Sequence, residues 1–167
     1  MYKRQREKLQ QAFADCQAGR LPAYPSIEWY IHTTLDPSLQ DEQGMHSAAL
    51  FCQWVPYRLA ESSWDREEGD FVQSLLAICD HFAPGTSALV DDAFTLTPPK
   101  IEERFGITGG HIHHVDNSFG FDERMPYRMP VQGVYACGAG CHPAGSVIGA
   151  AGHNAAKVAL GDLAIAS

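Results

Sequence analysis

The sequence predicts an α+β fold, an antiparallel sheet with flanking helices followed by a C-terminal strand-turn-helix. Three observations carry this. Residues 26–33 and 46–57 are rich in aromatic and β-branched side chains, as half-buried strands are. Residues 64–82 repeat their apolar positions at helical spacing. Residues 134–156 read as a short buried strand, a glycine-rich turn and a helix of small residues.

Taken in order, the spacing of Leu9, Phe13 and Cys16 predicts a helix from Lys3 to Ala18, with Gly19 placed to terminate it. The two aromatic blocks follow as neighbouring antiparallel strands joined by a turn-rich segment, Asp36 to Gly44. Trp64 leads into an acidic first turn, Asp65, Glu67 and Glu68, and Phe71, Leu75, Leu76, Ile78, Cys79 and Phe82 complete an amphipathic helix stopped by Pro84-Gly85. A third strand is expected over Thr86 to Leu96. Thr97 and Pro98-Pro99 then signal the start of a short helix through Phe105. The stretch Gly106 to Pro130 has no clear period, and a loop of that length is usually functional or disordered.

Length and composition narrow the function classes. With 167 residues and 45% hydrophobic residues, one core of moderate size can form and the chain is expected to be soluble. Twelve Lys+Arg against 20 Asp+Glu give a net charge of -8, which argues against a nucleic-acid backbone or an anionic membrane as partner. No run reaches the ~18 apolar residues of a transmembrane segment. Lys3, Arg4, Arg6 and Lys8 are the one basic cluster and read as a solvated helix face.

Five cysteines, Cys16, Cys52, Cys79, Cys137 and Cys141, at irregular spacings fit reduced thiols and a cytoplasmic location better than a secreted disulfide framework. Cys137 and Cys141 leave a redox pair or half a metal site open beside plain packing roles. The run His111, His113 and His114 with His142 likewise leaves several roles open: lining a ligand cavity, ordinary hydrogen bonding or metal ligation. No carboxylate or cysteine stands at a standard ligand spacing from them, so no metal is assigned.

A dinucleotide-binding half opens with a strand, a G-x-G-x-x-G turn and a helix, and no such run occurs in this sequence. Yet Ile27-Glu28-Trp29-Tyr30-Ile31-His32, Leu35-Asp36-Pro37-Ser38, Val55-Pro56-Tyr57, Trp64, Pro84, Leu96-Thr97-Pro98, Gly109-Gly110-His111-Ile112-His113-His114, Tyr127-Arg128-Met129-Pro130, Gly133-Val134-Tyr135 and Gly138-Ala139-Gly140-Cys141-His142-Pro143-Ala144-Gly145 succeed one another in an informative order. That order resembles the C-terminal third of the phytoene desaturase-like flavoproteins, in particular the bacterial phytoene dehydrogenase-like group and the group of pyridine nucleotide-disulfide oxidoreductase domain-containing protein 2. That family usually has Thr-His-Pro-Gly-Gly-Gly where this chain has Cys141-His142-Pro143-Ala144-Gly145-Ser146.

The resemblance implies an α/β flavoprotein fragment with FAD as cofactor. Residues 1–130 would be a portion of the substrate domain, and 131–167 the strand-turn-helix that completes an FAD-binding Rossmann-like domain. Gly138, Ala139, Gly140, Cys141, His142, Gly145, Ser146, Val147 and Ile148 would lie against the cofactor, with a helix starting around Val147 and Ser146 as its N-cap. Free N–H groups at such a helix start favour the negative charge of a reduced flavin. Trp29, Tyr30, Phe51 and Trp54 would floor the substrate cavity, with His111 and His113 on its wall.

On this reading the chain is the C-terminal part or the small subunit of a split FAD-dependent oxidoreductase acting on an apolar substrate, as a dehydrogenase, desaturase or isomerase. Because Met1 opens within a helix of the family pattern, a second, larger chain is expected to supply G-x-G-x-x-G in a hetero-oligomer. No general base is evident, so no catalytic residue is assigned. Two other readings stand beside it: a non-catalytic binding or regulatory module derived from a flavoprotein tail, and a small metal-dependent hydrolase using the histidine run.

Overall fold

The computed structural model describes residues 2–116, 119–144 and 148–165. The chain divides into two compact units, residues 1–98 and 99–167. The boundary expected at 130/131 concerns a larger flavoprotein and belongs with the functional proposal.

The first unit opens with α1, Tyr2–Gln17. Its end is fixed by Gly19 at φ +70°, which lets the Gly19 N–H reach the Cys16 carbonyl at 3.0 Å and the Arg20 N–H reach the Asp15 carbonyl at 2.8 Å. This is a Schellman termination, and it needs a left-handed residue that glycine supplies without a Cβ penalty. The Gly19 carbonyl then accepts from the Ala60 N–H at 2.9 Å, so the backbone of residues 58–60 runs hard against it.

The expected antiparallel pair is present as β1, Ser26–Tyr30, and β2, Ala49–Gln53, in the register Ile27 opposite Cys52 and Trp29 opposite Leu50. Side chains alternate faces along a strand. Ile27, Trp29, Leu50 and Cys52 therefore share one half-buried face, while Glu28, Tyr30 and Phe51 share the other, exposed face. The connecting segment is held by local bonds: the Asp36 carboxylate accepts from the Ser38 N–H and hydroxyl, and the buried Thr33 hydroxyl pairs with His46 Nδ1 at 2.8 Å.

The amphipathic helix is α2, Trp64–Phe82, with Asp65 and Glu67 in its first turn, His81 in its last, and Leu75 and Cys79 buried. The Trp64 indole N–H is shared between the Pro56 and Tyr57 carbonyls at 3.2 Å each, anchoring the helix start to the chain leaving β2.

The third strand expected over 86–96 does not form. Ser87–Leu89 is a single 3₁₀ turn, because the Asp80 carboxylate accepts from both the Ser87 N–H and the Ser87 hydroxyl and curls the chain back onto α2. The following residues belong to no strand, and Leu89 and Phe94 are about four-fifths exposed. The short helix is α3, Pro98–Phe105, as expected.

Beyond α3 the chain makes 3₁₀ turns at Thr108–Gly110 and Phe121–Glu123 and ends in α4, Ala150–Ile165. Two expectations shift here. The strand at Val134 to Cys137 is the second leg of a short hairpin, bridged at Tyr135 to Arg128, with Met129 N–H to Val134 O at 3.1 Å and Ala136 N–H to Tyr127 O at 2.8 Å. Pro130 and the left-handed Gly133 confine that pairing to a few residues. The last helix begins at Ala150 rather than near Val147, because Gly149 at φ +69° breaks the helical path just before it.

The observed fold is thus mixed helix and strand, with four α-helices and a two-stranded antiparallel sheet among the described residues. Among the described residues, Ala12, Leu75 and Cys79 are buried apolar side chains of the first unit, and Cys141, Ala151 and Ala155 of the second. No described helix is long and apolar enough to cross a membrane.

Candidate functional site

The glycine-rich turn is built from the hairpin outward. The chain leaves Ala136, turns at Gly138–Cys141 with the Cys141 N–H on the Gly138 carbonyl at 3.1 Å, and turns again with the Ala144 N–H on the Cys141 carbonyl at 2.7 Å. Met125 runs beside it, donating its N–H to the Gly140 carbonyl at 3.2 Å and bridging Cys141. A Cβ on Gly140 would sit 3.8 Å from the Met125 Cβ and 3.9 Å from the His114 Cβ. Three segments, around 114, 121–128 and 138–142, therefore converge on Gly140.

Side chains lock this arrangement to α4. The Tyr127 hydroxyl donates to the His142 carbonyl and accepts from the Asn154 side-chain amide at 3.0 Å. Arg128 grips Asp162 with Nε and an Nη, both at 2.8 Å, and the Tyr135 hydroxyl donates to the same carboxylate at 2.9 Å. The Arg128 guanidinium first, and the Tyr135 hydroxyl second, hold the Asp162 carboxyl down at about 2.

His142 packs edge-on against Phe121, with ring centroids 4.6 Å apart, and its Nδ1 is buried with no hydrogen-bond partner among the described residues. His113 Nδ1 is in the same condition, and the His111 and His113 rings lie 5.8 Å apart. Arg124, on the strip beside the turn, is buried. Buried polar atoms left without partners cost free energy, which marks this region as polar ground held open. Cys141 is fully buried, and burial pushes its thiol up, with Cys137 adding to the effect. Cys137 itself is exposed.

Of the residues expected at the cofactor, the structure gathers Gly138, Ala139, Gly140, Cys141 and His142 into one turn, and places Ile148 exposed just before α4. Gly145, Ser146 and Val147 lie outside the described residues. The expected cavity residues divide between the units: Trp29, Tyr30, Phe51 and Trp54 belong to the first, His111 and His113 to the second. Within the first, Tyr30 and Phe51 share a sheet face, Trp29 is on the opposite one, and Trp54 lies just beyond β2, edge-on to Phe13 with centroids 5.6 Å apart. Among the described residues no three His, Cys, Asp or Glu side chains come together as a metal-ligand set.

Sequence reasoning missed the two locks. Asp162 offered a signal, being the one carboxylate on a helix made mostly of small and apolar residues, a position that calls for a partner.

With this geometry in place, comparison with known proteins is informative. The chain is 40% identical over 165 residues to pyridine nucleotide-disulfide oxidoreductase domain-containing protein 2 of Mus musculus, covering 93% of this chain and 28% of that protein. The Rattus norvegicus counterpart gives the same figures. A limonene dehydrogenase subunit of Castellaniella defragrans is 26% identical over 144 residues, covering 80% of this chain and 26% of that protein. The chain is related in sequence to proteins named as oxidoreductases. It spans under a third of the length of these relatives. No family profile and no solved structure matches it.

Proposed function

We propose that this chain forms the C-terminal part, or a separately encoded small subunit, of an FAD-dependent oxidoreductase of the phytoene desaturase-like kind, completing a flavin site with a larger chain that carries G-x-G-x-x-G. The observation that carries this reading is the 40% identity, over 93% of the chain, to relatives named as oxidoreductases that are more than three times its length. A segment that matches so fully yet spans so little of its relatives contributes to a site rather than making one alone. α4 adds to this reading: its large apolar side chains Leu160 and Leu163 are about two-thirds exposed, surface that a partner would cover.

The turn's chemistry fits an anionic, closely approaching cofactor. A Cβ at Gly138 would meet nothing within 4 Å, so the backbone there is open to a ligand. The N–H groups of Ala150, Ala151 and Gly152 open α4 and have no partner four residues back within the helix, where the helix dipole favours negative charge. The Cys141 and Ala144 N–H groups are already committed within the turn. Gly138, Ala139, Gly140, His142 and Ile148 are therefore the described residues assigned to the cofactor. A bound flavin would supply acceptance of a hydride or electron pair from substrate. This chain's residues would position it: Tyr127 fixes the His142 backbone, and Arg128 with Asp162 fixes α4 relative to the hairpin. An apolar substrate and a multi-chain enzyme both accord with the name of the Castellaniella relative, a subunit of limonene dehydrogenase, limonene being a hydrocarbon.

Gentle purification from the native host tests the proposal by visible spectrum and by the masses recovered. Flavin absorbance together with a G-x-G-x-x-G-containing polypeptide is expected. A colourless, solitary, folded chain would instead favour a non-catalytic binding module.

A further inference from the structure

We propose that β1 and β2 are the inner pair of a wider sheet, whose outer strands are extended segments of the larger chain named above. The partner's identity rests on the proposed function; the need for outer strands does not. Among the described residues the sheet has two strands, so β1 and β2 each leave one edge without a strand neighbour. A two-stranded ribbon is marginal in water, and natural edge strands are guarded by lysine, proline or an off-edge charge. The ten residues of β1 and β2 contain no lysine, arginine or proline. Their one charge, Glu28, is folded down onto the sheet face, where its carboxylate accepts from the Gln53 side-chain amide at 3.1 Å and from the Tyr30 hydroxyl. Neither strand itself therefore carries a proline or a cationic guard against an incoming strand.

One face is an apolar row: Ile27, Trp29, Leu50 and Cys52 are only half-buried. The other sets Tyr30 and Phe51, 43% and 37% exposed, beside Ser26, Glu28 and Gln53. A strand added at either edge would hydrogen-bond through its backbone and set its alternate side chains beside the apolar row on one face and beside Tyr30 and Phe51 on the other. The source of those strands follows from length: the relatives carry more than two-thirds of their length outside the matched segment.

The test is amide hydrogen exchange over residues 26–30 and 49–53, compared between the assembly purified from its host and the same chain expressed by itself. The outward-facing amides are expected to exchange at least a hundredfold more slowly in the assembly. Equal exchange in both samples would overturn the inference. So would recovery of the chain without a larger polypeptide, or protection of the lone chain that rises with its concentration, which would assign the edges to a second copy. Flavin absorbance of the same sample separates the two proposals. A yellow assembly with unprotected edges overturns the wider sheet alone, whereas a colourless assembly with protected edges upholds it and overturns the flavin reading.

Discussion

Arg128 and Asp162 form a two-pronged ion pair, Nε and Nη each 2.8 Å from a carboxylate oxygen, that fastens the 127–136 hairpin to α4 across 34 residues of sequence. The Tyr135 hydroxyl reinforces it from the opposite leg of the hairpin. The pair sits beside, not inside, the glycine-rich turn, so its work is to set where α4 begins relative to Gly138 and His142.

Its pH dependence follows from sign. The Asp162 carboxyl is held at about 2 in the folded chain, below its ordinary value of 3.8, so it contributes stability that is fully present above about pH 4 and lost as pH falls toward 2. Thermal melts of the wild type and of Asp162→Asn should differ most near neutral pH and converge between pH 4 and pH 2. A difference that persists unchanged at pH 2 would show that the carboxylate's charge is not what holds α4.

Two backbone substitutions should act with opposite sign. Gly19→Ala puts a Cβ at φ +70° and 2.9 Å from the Ala60 nitrogen, and is expected to cost about 2 kcal/mol or more. Ala144→Gly relieves a side chain held at φ +82° and is expected to gain about 1 kcal/mol. Urea midpoints of the two variants, read against the wild type, check both.

Thiol reactivity should sort the cysteines. Burial, aided by Cys79, pushes the Cys52 thiol up to about 11, and burial raises Cys141 too, while Cys137 is exposed. An alkylating reagent at pH 8 should label Cys137 at least tenfold faster than Cys52 or Cys141 in the folded chain, with the difference vanishing in denaturant. Peptide mass mapping over time reads the order directly.

What the sequence made legible was local. The end of α1 at Gly19, the span of α2 between its acidic first turn and Pro84-Gly85, and the antiparallel pairing of 26–30 with 49–53 all follow from periodicity and capping within a few residues. Residues 86–96 misled because their β-prone composition was overruled by a carboxylate, Asp80, seven residues before the turn it controls. The start of α4 was misplaced because small residues suit both turn and helix, and Gly149 decided between them. At the site, the turn of Gly138 to His142 was legible from its glycines, whereas the Tyr127-Asn154 and Arg128-Asp162 locks join residues 27 and 34 apart and leave no periodic trace.

The central claim is that the Gly138 turn faces a flavin, and Gly138→Val tests it most directly. Gly138 is not left-handed and its Cβ position is empty for 4 Å among the described residues, so the substitution should leave the chain's own melting temperature unchanged. The flavin-to-protein ratio of the purified assembly should fall at least tenfold in the variant. A variant that retains flavin at the wild-type ratio would contradict the assignment of this turn to the cofactor.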